Sequence, residues 1–75
     1  MTASDLQDLL VTILTREAGN RRRWRIVVGG VKAYSLATHP HCNWSVTPVG
    51  SAGEIARVEH VLDSVRARHP IIAAG

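Results

Sequence analysis

The sequence predicts an α+β fold in the order α-β-β-β-α, a three-stranded antiparallel meander with two helices packed on one face. Three observations predict it. Leu6, Leu9, Leu10, Ile13 and Leu14 near the start, and Ile55, Val58, Val61, Leu62 and Val65 near the end, recur at the three- and four-residue steps of a helix face. Between them, period two replaces the helical period, and a Gly29-Gly30 pair stands between two apolar runs as a two-residue hairpin turn requires. The 75 residues form one domain, 1-75, of a size that buries only roughly 60% of its unfolded surface.

The first helix opens at Ser4, whose hydroxyl and the Gln7 side chain three residues on fit a capping box, and Gly19 closes it with a left-handed cap. The stretch RRRWRIVVGGVKAYSLA then supplies two strands. Pairing Val28 with Val31 puts Trp24, Ile26, Val28, Val31, Ala33 and Ser35 on one face, the core face, and Arg23, Arg25, Val27, Lys32, Tyr34 and Leu36 on the other. His39-Pro40 interrupts the sheet as a connection, because proline lacks an amide donor and restricts the residue before it. Cys42, Trp44 and Val46 form the apolar side of a third strand that stops at Pro48 and Gly50.

Ser51 and Glu54 repeat the capping-box logic at the start of the last helix, and Arg66, Arg68 and His69 suit its negative end before Pro70 closes it. Residues 70-75 form a tail that either docks its isoleucines on the core or frays.

Nine Lys and Arg against six Asp and Glu give a formal net charge of +3. Asp5, Asp8, Glu17, Glu54, Glu59 and Asp63 all lie before residue 18 or after residue 53, so the segment between, with Arg21, Arg22, Arg23, Arg25 and Lys32, has no acid. Such clustering points to an anionic partner. The one cysteine, Cys42, excludes an internal disulfide and points to a reducing compartment. The apolar run LLVTIL is too short to span a bilayer, and Asp5 and Asp8 stand where a signal peptide carries positive charge. The expectation is a cytoplasmic protein without membrane contact.

The segment THPHCNWSV concentrates His39, His41, Cys42 and Trp44, with His60 or His69 available to complete a zinc site. In an extended chain Cys42 points away from the two histidines, and no Cys-x-x-Cys or His-x-x-x-His pattern accompanies them. A turn histidine pair and a core cysteine account for the segment without metal. The same alternation places Cys42 beside Trp44 and Val46, away from the open, positive setting that a thiolate nucleophile needs. The carboxylates all lie on predicted helices in capping or solvated positions, and Gly29-Gly30 lacks the following helix of a phosphate loop. The sequence thus predicts no catalytic residue, no metal and no cofactor.

The order helix, three strands, helix over this length resembles that of double-stranded-RNA-binding domains. In that family RNA meets the loop between the first two strands and a lysine-rich start of the last helix; those places hold Gly29-Gly30 and Ser51-Ala52-Gly53-Glu54 here. The chain is also similar to HicA-type toxins, small RNA-cleaving relatives of that fold, in Gly30, in His39-Pro40 and in Val46-Thr47-Pro48. Their Gly-Ser-His signature is replaced by Gly30-Val31-Lys32, which removes the catalytic histidine. The segment HPHCNW resembles segments of small bacterial proteins and implies no activity by itself.

The function these observations predict is nucleic-acid binding without catalysis, RNA ahead of DNA. Arg21, Arg22, Arg23, Arg25 and Lys32 would meet phosphates and Tyr34 would stack on a base, with Arg23, Arg25, Lys32 and Tyr34 on the open face of the hairpin and Arg21 and Arg22 at its edge. The alternative is a protein-interaction or homodimerisation module, since strand edges also carry Lys and Arg to block aggregation and a neighbouring subunit would cover such a face. HicA-like RNA processing or a metal-dependent role stands third.

Overall fold

The computed structural model describes residues 1-73. It contains three helices, α1 (Ala3–Ala18), α2 (Arg21–Val28) and α3 (Ala52–Arg68), and a two-stranded antiparallel sheet, β1 (Lys32–Ala33) with β2 (Trp44–Ser45), in the order α1-α2-β1-β2-α3. The three-stranded meander is therefore corrected: the predicted first strand is a helix, and the helices pack chiefly on one another.

Thr2 caps α1, two residues earlier than expected. Its hydroxyl accepts the Asp5 amide at 3.2 Å, and the Asp5 carboxylate accepts the Thr2 amide at 3.0 Å, which holds the Asp5 carboxyl below its usual range. The helix ends at Gly19, whose amide donates to the Thr15 carbonyl. Leu6, Leu10, Val11 and Leu14 are fully buried, whereas Leu9 and Ile13 on the flank of the same stripe are half-buried.

The residues RRRWRIVV fold as α2 because Asn20 caps them and α1 receives their apolar face. The Asn20 side chain, on a left-handed residue with φ 60°, accepts the Arg23 amide at 3.2 Å. Trp24, Val27 and Val28 recur at the helical i, i+3, i+4 spacing and are all buried. Ile26, expected on the core face of a strand, is 57% exposed, and Val27, expected on the open face, is completely buried. Gly29 does not turn a hairpin. It ends α2 with φ 64°, its amide donating to the Arg25 carbonyl and its own carbonyl accepting the Gln7 side chain at 2.6 Å.

The hairpin that does form joins the second and third predicted strands, with Lys32 opposite Ser45 and Ala33 opposite Trp44. The Tyr34 amide adds one more rung to the Asn43 carbonyl at 2.7 Å. The connection expected at His39-Pro40 is present, nucleated by the Ser35 carbonyl, which accepts the amides of Thr38 and His39. From β2 the chain runs back beside α2, where the Val49 amide donates to the Val27 carbonyl, and enters α3 through the predicted Ser51–Glu54 capping box. Val58, Val61, Leu62 and Val65 are its buried face, and it stops at Arg68 before His69-Pro70.

Of the two alternatives for the tail, docking holds as far as Ala73. Ile72 is buried, and its amide and carbonyl are both held by the side chain of Asn43, itself 2% exposed. Ala73 pairs with Thr2 in a parallel bridge, while Ile71 stays largely exposed. Residues 74-75, part of the predicted tail, lie outside the described residues. No described helix is long and apolar enough to cross a membrane.

Candidate nucleic-acid interface

Four of the residues predicted to meet phosphate, Arg21, Arg22, Arg23 and Arg25, lie on α2; Lys32 and Tyr34 lie beyond its C-terminal end on the hairpin. The sheet face expected to carry Arg23, Arg25, Lys32 and Tyr34, with Arg21 and Arg22 at its edge, does not exist. A helix turns about 100° per residue, so with Trp24, Val27 and Val28 inward, Arg22 and Ile26 form the outermost ridge of α2. Arg21 and Arg25 flank that ridge toward α1, and Arg23 turns toward α3.

The contacts follow this wheel. Arg21 donates to the Thr12 hydroxyl at 3.2 Å, and Arg25 reaches Asp8 at 3.3 Å, both on α1. Arg23 pairs with Glu54 at the start of α3 through two parallel bonds, Nε to Oε2 and Nη2 to Oε1, each 2.8 Å. The Arg22 side chain makes no hydrogen bond or ion pair among the described residues and stands in solvent.

Glu54 serves three donors at once: the bidentate guanidinium of Arg23 and, through Oε1, the Ser51 amide at 2.9 Å. These bonds, the Arg23 pair first and the Ser51 amide next, pull its carboxyl down from 4.5 to about 2 and push the Arg23 guanidinium up. Gly50 makes room for the cluster. A Cβ there would lie 2.7 Å from Glu54 Oε1, and its φ of 142° suits glycine alone.

Three consecutive arginines occupy the first turn of α2, which has no acid of its own. The helix dipole is positive at that end, so each cation there weakens the helix unless it is offset. Glu54 offsets Arg23. Arg21 and Arg22 have no carboxylate facing them among the described residues, which leaves a locally unfavourable concentration of positive potential on the surface.

Tyr34 is less open than predicted. The His39 ring stacks on it with centroids 4.2 Å apart and planes 22° from parallel, Lys32 Nζ lies 5.6 Å from its centroid, and its hydroxyl bonds Ser45 at 2.9 Å. One face of the ring is therefore already occupied. The turn at His39-Pro40 is marked in the sequence by its proline, but nothing there signals that it brings the His39 ring back onto Tyr34.

The remaining chemical candidates separate. His39 Nδ1 bonds the Thr38 hydroxyl at 2.9 Å, His41 is exposed, and Cys42 is half-buried against the core with its thiol toward the Trp44 carbonyl. Among the described residues no three His, Cys, Asp or Glu side chains converge as a metal cage. No protein-family model, curated protein or solved structure matches the chain.

Proposed function

We propose that the protein binds nucleic acid, RNA ahead of DNA, through the outward ridge of α2 and without catalysing a reaction. The observation that carries this reading is the pair Arg21 and Arg22 in the first turn of α2, both exposed, Arg21 resting only on the Thr12 hydroxyl and Arg22 on nothing, with no carboxylate among the described residues to offset them. Arginine at such a position is disfavoured for the helix and favoured for phosphate, which it grips through a planar fork of donors. Arg25, shared loosely with an exposed Asp8, adds a third contact when phosphate displaces that carboxylate. Lys32 and the Tyr34–His39 stack, further along the same connection, suit an unpaired base, which is why single-stranded RNA ranks first.

Titration of fluorescent single-stranded RNA and duplex DNA at several salt concentrations tests the proposal. Three phosphate contacts give a log–log salt slope of about −2.1 on single strands, so affinity falls roughly 20-fold between 50 and 200 mM salt. An Arg21→Gln, Arg22→Gln variant should reduce the slope to about −0.7, while Arg23→Gln should leave it nearly unchanged because that guanidinium already faces Glu54. Binding by the double variant equal to that of the parent would refute the proposal.

The exposed Ile26 beside Arg22 favours the second reading, a surface for a protein partner or a second copy. Sedimentation of the pure protein separates the two, since a dimer closed over α2 would hide Arg22 and block RNA.

A further inference from the structure

The apolar stripe of α1 is wider than its partners cover. On the side facing α3, Leu9 and Ile13 of α1 and Val61 of α3 form the floor of an open groove of about 310 Å³. The two helices run antiparallel: Glu17, at the end of α1, pairs with Arg57 early in α3 at 3.6 Å, and Thr2, before α1, bridges Ala73, beyond α3. Arg16 and Arg68, both of which line the groove, therefore mark its opposite ends. Neither has a carboxylate within ion-pair distance among the described residues, whereas the acidic Glu17 on the rim is already engaged by Arg57. The result is an apolar floor with an unsatisfied positive charge at each end.

We propose that this groove is a docking site for an amphipathic helix of a partner protein, with apolar side chains at its centre and carboxylates at both ends. From Leu9 to Arg16 the groove rises about 10 Å along α1, the length of two helical turns. A segment of the pattern Glu-x-x-Leu-Leu-x-x-Glu places its leucines, at i+3 and i+4, over Leu9, Ile13 and Val61 and its two acids beside Arg16 and Arg68. This is the helix-in-groove mode, in which the apolar face gives affinity and the end charges fix register. A second copy of the chain fits poorly, because it would bring the same two arginines against these. Nucleic acid would satisfy the arginines and leave the apolar floor uncovered. The surface is separate from the α2 ridge, and neither proposal depends on the other.

The test uses the whole chain and two synthetic 16-residue peptides, one repeating the pattern above and one with lysine in place of each glutamate. The acidic peptide should shift the amide resonances of Leu9, Ile13, Val61 and Ser64 and bind at least about fivefold more tightly than the lysine peptide. An Arg16→Glu, Arg68→Glu variant, altered only at exposed positions, should reverse that preference. Ser64→Trp, which plugs the groove without removing a core side chain, should abolish binding with the thermal transition retained. Arg21→Gln, Arg22→Gln should leave peptide binding unchanged. Equal affinity for both peptides, no binding, or shifts confined to α2 would overturn the proposal. So would a dimer in sedimentation equilibrium whose formation alone shifts the groove resonances, since a second copy would then be the occupant.

Discussion

Replacing Asn43 by alanine should cost about 2–3 kcal/mol of folding free energy, a large effect for one small polar side chain. The Asn43 amide group donates to the Ile72 carbonyl and accepts the Ile72 amide, both at 2.8 Å, in a buried setting. Its backbone meanwhile receives Tyr34 from the hairpin and donates to the Pro70 carbonyl. Alanine leaves the variant two routes. If the tail stays in place, two buried backbone groups lose their partners at about 1–3 kcal/mol each. If the tail swings into water, the burial of Ile72 is lost, about 1.5–3 kcal/mol, together with its hydrogen bonds, partly offset by the entropy that the freed chain recovers. The protein takes the cheaper route, which sets the estimate near the lower ends. For a chain of 75 residues whose whole stability is about 4–11 kcal/mol, the loss corresponds to a fall in Tm of about 10–20 °C. Urea unfolding measures it directly, and an Asn43→Ala, Ile72→Ala cycle adds a second reading. If the tail is released the isoleucine has little left to lose, and the double variant should then be less destabilised than the sum by at least about 1 kcal/mol. A loss below about 0.5 kcal/mol would refute the clamp, while strict additivity with Ile72→Ala would select the route in which the tail stays in place.

Acid should act chiefly through Glu54, the more strongly depressed of the two capping carboxylates. Its folded carboxyl lies at about 2 against an ordinary 4.5, so it contributes stability fully above pH 4.5 and loses it as pH falls from there toward 2. Glu54→Gln should reduce the acid dependence in that window, leaving the share that the lowered Asp5 carboxyl contributes, and because both Glu54 and Arg23 are accessible to solvent, high salt should weaken it in the parent too. Gly50→Ala should destabilise by about 1–3 kcal/mol through its positive φ. The new methyl would also press on Glu54 and on Arg23 Nη2, 3.3 Å away, so this variant should lose part of the acid dependence as well as stability.

Both long helices were legible because each joins a capping residue to a stripe long enough to define its period. At the start of α1 Thr2 with Asp5 and Ser4 with Gln7 offer the same side-chain logic two residues apart, and only the docking of Thr2 against Ala73 separates them. The extended segment around Trp44 and the His39-Pro40 connection were also legible, from alternation and from proline. Residues 21–28 were not. Trp24, Ile26 and Val28 satisfy period two, Trp24, Val27 and Val28 satisfy the helical period, and eight residues are too few for either pattern to prevail. β-branched residues then tip a local reading toward strand. Tertiary structure decides otherwise, because α1 offers a buried face that accepts a helix and Asn20 takes the left-handed conformation that starts one.

That one change of period redistributes the charge on which the functional reading rests. As a strand, the segment would set Arg23 and Arg25 side by side on an open face and leave Arg22 at its edge. As a helix, it turns Arg23 onto Glu54 and Arg25 toward Asp8, acids far away in the chain but adjacent in space. The acid-free middle of the sequence is thus partly neutralised by its two ends, and net charge along the chain overstates what a ligand meets. What survives is Arg22 at the crest of α2, with Arg21 beside it. Comparing Arg22→Gln with Arg23→Gln therefore tests fold and function together: the helix requires the first to weaken phosphate binding more than the second, and a strand requires the reverse.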